Sequence, residues 1–193
     1  NIDLPNSFSL FEDSLLTVNL APYLNDIDSD PSSLVLTASG NVHINVTIDT
    51  FMVTFTADTN WYGQEEISFT IDDQNLRITD TDVVNVIIIP VNDPPVIDTL
   101  DNVTIVEDSI AVINLSASDI EIGEEFLSFD AFSDHPDFVI VDLTMSEELN
   151  APVLTLTPAM DFFGDVQITV SVTDGEYTDT GIFTLIVLPV NDS

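Results

Sequence analysis

Aspartate, glutamate and asparagine recur in this sequence where extended segments end. Asn92 and Asp93 close the apolar run VVNVIIIPV. Asp119 and Glu121 fall in SASDIEIGEE, Asp174 in VTDGEY, Glu12 in LFEDS, and Asp58 with Asn60 in ADTNWYG. Carboxylate, amide and carbonyl oxygens are hard donors, and about six to eight of them are what a calcium ion takes. Two further groups have the same character: Asp26, Asp28 and Asp30 (NDIDSD) with Asp72 and Asp73, and Glu107 and Asp161 with Asn191 and Asp192. There is no cysteine, which excludes disulfides, thiol nucleophiles and thiolate zinc sites.

The charge balance narrows the partners. Against 35 acidic residues stands one basic residue, Arg77, for a formal net charge of −34. Nucleic acid is excluded as a partner, because displacing phosphate counterions takes lysine and arginine, and anionic membrane surfaces are disfavoured on the same ground. Disorder goes with low hydrophobicity, whereas 45% of this chain is hydrophobic. The chain should fold once something neutralises the charge: without a cation, clustered carboxylates repel or take up protons. A salt-adapted, merely hydrated surface is the competing explanation of the acidity, and it leaves the placement of the acids unexplained. No apolar run approaches the roughly 20 residues of a membrane helix, so direct membrane insertion of this segment is not expected, and any export signal or anchor lies outside it.

Other chemistry is weakly signalled. His43 and His135 each lack a second histidine or cysteine nearby in sequence and read as surface or hydrogen-bonded histidines. No G-x-S-x-G is present, and no pair of acids stands out for glycoside hydrolysis, so an enzyme is not expected. Trp61 and Tyr62 could form a sugar-stacking platform. The equivalent Phe162 and Phe163 favour a structural plug under a turn instead. Asn45, Asn102 and Asn114 begin N-x-[ST] triplets, weak support for an exported context.

These oxygens must be positioned by elements that the chain writes twice. FEDS at Phe11 returns as VEDS at Val106, NWYG at Asn60 as DFFG at Asp161, and VND at Val91 as VND at Val190. Each copy alternates apolar and polar residues with period two, broken by Gly, Asn, Asp and Pro. The pattern predicts strands over 7–11, 15–20, 34–39, 42–48, 51–57, 66–72 and 81–90, then over 103–107, 111–116, 126–132, 138–144, 152–157, 166–173 and 180–190. Short strands in this number predict an all-β protein: two tandem Greek-key β-sandwiches of immunoglobulin-like form, residues 1–93 and 94–193. Pro94 and Pro95 make the connection a stiff strut. With strands alternating in direction, the end of the first strand and the loop before the sixth lie at the bottom of copy one, and the loops after the second and sixth strands lie at the top of copy two. The spacing therefore predicts a junction site from Glu12, Asp58, Asn60, Asn92, Asp93, Asp119, Glu121 and Asp174. The N-terminal group (Asp26, Asp28, Asp30, Asp72, Asp73) and the C-terminal group (Glu107, Asp161, Asn191, Asp192) become weaker half-sites.

Glu in the first strand, Asp-x-Asp or Asp-x-Glu after the second, Asp before the last and Asn-Asp-Pro at the junction together resemble cadherin repeats, most closely bacterial cadherin-like ones. The resemblance covers the whole chain. It implies calcium at inter-repeat junctions, with Glu12, Asp93, Asp119, Glu121 and Asp174 at matching positions. The junction departs from the fuller Asp-x-Asn-Asp-Asn of animal cadherins, and Glu121 stands where copy one has Asp28. The expected function is a calcium-rigidified spacer or adhesion repeat of a large bacterial cell-surface or secreted protein, partnered by neighbouring repeats of its own chain. A polysaccharide-binding module, or a filament repeat packing against like chains, is the alternative.

Overall fold

The computed structural model describes residues 1–24, 34–73, 79–123, 126–146 and 151–191. The chain divides into two compact units, Asn1–Val91 and Asn92–Ser193. Asn92 and Asp93 thus belong to the second unit, although the prolines that follow them suggest a boundary after Asp93.

In unit 1, strands β1 (Ser7–Phe11), β7 (Thr79–Ile89), β6 (Gly63–Asp72) and β3 (Val35–Ser39) lie side by side in that order. Facing them are β2 (Leu15–Asn19), β5 (Met52–Ala57) and β4 (Ile44–Asp49). The first and last strands are parallel, with Ser7 opposite Asn85 and Phe11 opposite Ile89, while all other pairs are antiparallel. Period-two patterning explains the layers. On β6, Ile67, Phe69 and Ile71 are buried while Glu66, Ser68 and Thr70 face outward. The core closes on Phe55, which meets Phe8 at a ring-centroid distance of 5.7 Å and Phe69 edge-on at 6.1 Å. Burying one such ring contributes about 1.5–3 kcal/mol.

Unit 2 repeats the plan. Strands β9 (Val103–Val106), β16 (Thr178–Leu188), β15 (Gly164–Thr173) and β12 (Ser128–Ser133) form one sheet, and β10 (Ala111–Asn114), β14 (Ala151–Pro158) and β13 (Val139–Ser146) the other. Again the first strand of the sandwich runs parallel to the last. A short extra ladder pairs β8 (Val96–Ile97) with β11 (Ala117–Ser118); its counterpart in unit 1 is a single bridge between Ile2 and Leu24. Both are too short to leave a periodic signal. Carboxylates strap the same segments down: Asp80 and Asp82 accept the Ile2 and Leu4 N–H groups at 2.9 and 2.7 Å, and Asp179 accepts that of Ile97 at 2.9 Å. A 3-10 turn at Ala21–Tyr23 contains Pro22 and is held by Asn19 Oδ1 on the Ala21 N–H.

Candidate metal centre

Where the chain leaves unit 1, the parallel ladder is extended by a side chain. Glu12 N–H donates to the Ile89 carbonyl at 3.0 Å, and its Oε1 accepts the Val91 N–H at 2.6 Å. Glu12 is buried, and its Oε2 has no hydrogen-bond partner. The following residue, Asp13, turns the chain at φ 53° and accepts the Asn60 N–H on Oδ1 at 3.3 Å. Unit 2 reproduces each part. Glu107 N–H donates to the Leu188 carbonyl, Glu107 Oε1 accepts the Val190 N–H, and Asp108 at φ 60° accepts the Asp161 N–H.

At the start of unit 2, five sequence-assigned residues come together. Asn92 donates from Nδ2 to Asp174 Oδ2 at 2.7 Å, and the Asp93 N–H donates to Glu121 Oε2 at 2.9 Å. Asp119 Oδ1 accepts the N–H groups of Glu121 and Ile122, shaping the loop after β11. Asp174 Oδ1 accepts those of Glu176 and Tyr177, closing the β15–β16 turn. Desolvation opposes ionisation of Asp174, but these two N–H donors and the Asn92 amide outweigh it and hold the carboxyl below its ordinary range.

One pattern unites the acids. In Glu12, Asp119 and Glu121, one carboxylate oxygen is fixed on a backbone N–H while the other, Oε2, Oδ2 and Oε1 respectively, is buried without a partner; Asp93 Oδ2 is buried and unpartnered too. A buried acceptor left unmade costs about 1–3 kcal/mol, more when charged. One arginine in the sequence cannot neutralise such a set. Hard, negatively charged, preoriented oxygens without donors are the donor set of calcium, so Asp93, Asp119 and Glu121 of unit 2 fit that ion.

The remaining assigned residues lie elsewhere or are outside the described residues. Asp58 is exposed and pairs through Oδ2 with His43 Nδ1 at 3.0 Å, and Asn60 serves its turn through its backbone at φ 55°. Asp73 is buried at the end of β6 beside Asp72, whereas Asp26, Asp28, Asp30 and Asp192 lie outside the described residues. Asp161 and Asn191 are exposed. His43 stacks on Trp61 at 5.0 Å, and Phe138 on Phe162 at 5.0 Å. The first aromatic of each pair is thus the plug, while Tyr62 and Phe163 remain exposed. Asp13 and Asp108 were legible only as part of the repeated E-D-S. Glu65 carried no signal: it accepts three successive N–H groups, Val42, His43 and Ile44, at 2.9, 2.7 and 3.2 Å.

Among the described residues no helix is long and apolar enough to cross a membrane. The chain is similar to the extracellular cadherin domains 1–4 of protocadherin gamma B7, at 19% identity over 97% of this chain and 50% of that one, with a TM-score of 0.55. It is likewise similar to the human desmocollin-1 ectodomain, at 12% identity over 97% of this chain and 41% of that one, with a TM-score of 0.50. Against an endo-fucoidan hydrolase of glycoside hydrolase family 107 the identity is 15% and the TM-score 0.43, and the chain spans 28% of that length. No curated protein matches it. The cadherin likenesses show the fold, and the sequence matches the bacterial Ig domain family over residues 3–87 and again over 92–186. The chain therefore belongs to the bacterial Ig domain family, as two tandem copies of cadherin-like form.

Proposed function

We propose that this chain is a calcium-stiffened spacer or adhesion segment of a bacterial surface or secreted protein. The observation that carries the reading is the set of buried, partnerless oxygens on Asp93, Asp119, Glu121 and Glu12. Asn92 and Asp93 belong to both the segment that joins the modules and the proposed ligand set, so a cation held there fixes the joining segment. Glu12 is the ligand assigned from unit 1, with Asp174 and Asn92 completing the oxygens of unit 2. Calcium would supply charge neutralisation; it catalyses nothing here. Because it binds only the folded arrangement, occupancy stabilises that arrangement by linkage, about 2.7 kcal/mol per site at 100 times the dissociation constant.

Small-angle scattering of the two-unit chain during a calcium titration tests this, with magnesium and potassium chloride as controls. Calcium alone should narrow the distribution of inter-unit distances. Asp93→Ala should weaken calcium binding at least tenfold by calorimetry, while Asp49→Ala, exposed at the end of β4, should leave it unchanged. An equal response to potassium chloride, or equal losses in both variants, would mean that the acids act as a diffuse counterion cloud.

A further inference from the structure

The exposed member of each aromatic pair has no place in the calcium reading. In unit 1, Tyr62 is 40% exposed, and its neighbour Gly63 pairs with Ile88, which sets Tyr62 beside Ile89; on the other side of Ile89 lies Phe11, 57% exposed. The next row on the same outward face is Ser9, Ile87 and Gln64. β1 and β6 flank β7, which puts Phe11, at the end of β1, and Tyr62, just before β6, about 10 Å apart. Tyr62 is held in place from behind: Trp61 packs under Gly63 and stacks on His43, and Asp13 fixes Asn60.

Three features of this strip define what it fits. It carries no charge over two rows, in a chain with 35 acids; the first carboxylate, Glu66, comes one row further on, opposite Asn85. Its polar members are neutral. Asn85 Nδ2 donates to Gln64 Oε1 at 3.3 Å, which leaves the Gln64 amide N–H groups directed away from that bond. It is also repeated: in unit 2, Val106 pairs with Leu188, and Phe163, 61% exposed, follows in the position of Tyr62. Ile186 sits in the next row, between Thr104 and Asp165, so in unit 2 the uncharged strip is one row deep where in unit 1 it is two.

We infer that this strip is a binding site for a neutral polysaccharide. A pyranose ring offers one C–H face to pack on an aromatic ring and a rim of hydroxyls that pair with amides and hydroxyls, the groups present here. Acidic polymers and a second copy of this chain are repelled by the net charge, since the strip offers no cation to either. A weak site present in both modules suits a ligand that itself repeats, because two linked engagements raise the effective affinity without new contacts. The inference does not rest on calcium.

Native gel electrophoresis in soluble neutral polysaccharides (a β-glucan, a galactomannan and a xylan), with alginate as the acidic control, tests it on the two-unit chain. At least one neutral glycan should retard the protein, equally in calcium and in EDTA. Tyr62→Ser with Phe163→Ser should raise the dissociation constant at least tenfold, whereas Tyr62→Phe and Val112→Ser, the latter an exposed apolar residue on the other sheet, should change it less than twofold. Thermal unfolding of each variant separates loss of binding from loss of fold. Retardation by no neutral glycan, retardation that EDTA abolishes, or an equal loss in Val112→Ser would each overturn the assignment. So would self-association by sedimentation that the double variant removes, which would make the strip a contact between copies.

Discussion

Glu12 is asked to do two things with two oxygens, and two substitutions separate them. Glu12→Ala removes the acceptor of the Val91 N–H and leaves that part-buried donor unmade; a bond to a charged acceptor is worth about 1.5–3 kcal/mol. Glu12→Gln keeps an oxygen for Val91 but replaces the partnerless oxygen by an amide that cannot ligate a cation. Without calcium it also relieves one buried negative charge in a chain at −34. In EDTA, Ala should therefore destabilise unit 1 by about 2–3 kcal/mol and Gln by less than about 1 kcal/mol. In calcium at about 100 times the dissociation constant, the wild type gains about 2.7 kcal/mol and both variants lose most of that gain. Urea unfolding followed by tryptophan fluorescence reads unit 1 alone, because Trp61 is the only tryptophan and stacks on His43 in that unit. Equal losses for Ala and Gln in EDTA would show that the carboxylate carries no backbone bond worth measuring. A full calcium gain in Gln would remove Glu12 from the ligand set.

Two further outcomes follow from local chemistry. Glu65 is partly desolvated, which would raise its pKa, yet the N–H groups of His43, Val42 and Ile44 and the nearby imidazole hold it below the ordinary 4.5. The ionised form thus supports folding; its contribution is fully present above that ordinary value and is lost as pH falls through the lower folded-state value. Glu65→Gln should cost about 1–2 kcal/mol at pH 7 by the same fluorescence assay, with the gap to wild type closing as the pH drops below about 4.5. A gap that stays constant down to pH 3 would contradict this. Gly63→Ala should cost about 1–3 kcal/mol, since φ of 150° strains any L residue and a Cβ would lie 3.0 Å from the Trp61 ring. Gly164→Ala, whose Cβ would meet Phe162 at 3.6 Å, should cost less. Calorimetry of the two unfolding transitions gives the order, and an equal cost would mean that backbone strain alone sets it.

The β-framework was legible because burial imposes period two on long strands. Ile67, Phe69 and Ile71 alternate with polar residues, and the same register recurs at Ile168, Val170 and Val172, so a repeat comparison found both sheets' strands to within three residues. What stayed hidden was short or carried by side chains. The β8–β11 ladder and the Ile2–Leu24 bridge are too brief to show a period. The capture of backbone N–H groups by Glu65, Asp80, Asp82 and Asp179 depends on distances between segments far apart in sequence. Asp58 illustrates the converse. Its loop position alone made it a ligand candidate, while its carboxylate pairs with His43, a partner 15 residues away that only strand pairing brings near. Loop membership places a side chain at one end of a sandwich; it does not say which neighbour claims its oxygens.

That distinction separates acids that could bind a cation from acids that merely charge the surface. Asp49 is exposed at a strand end, and holding a metal there would require ordering its side chain at the moment of binding. Asp119, Glu121 and Glu12 are already ordered, because one oxygen of each is fixed on the backbone, so the entropy of restricting those rotamers is lost when the chain folds and not when the cation arrives. The folded chain instead carries partnerless buried oxygens, and a cation relieves that cost in addition to neutralising charge. Affinity at this centre should accordingly depend as much on the N–H groups of Asp93, Val91, Glu121 and Ile122 as on the number of carboxylates. A proline at position 122, which removes one of those donors and replaces no ligand, although it also restricts the backbone of Glu121 before it, should weaken calcium binding by calorimetry while Asp49→Ala does not. Unchanged affinity in the proline variant, with the fold retained by thermal unfolding, would show that charge alone drives binding and that backbone preorganisation contributes nothing.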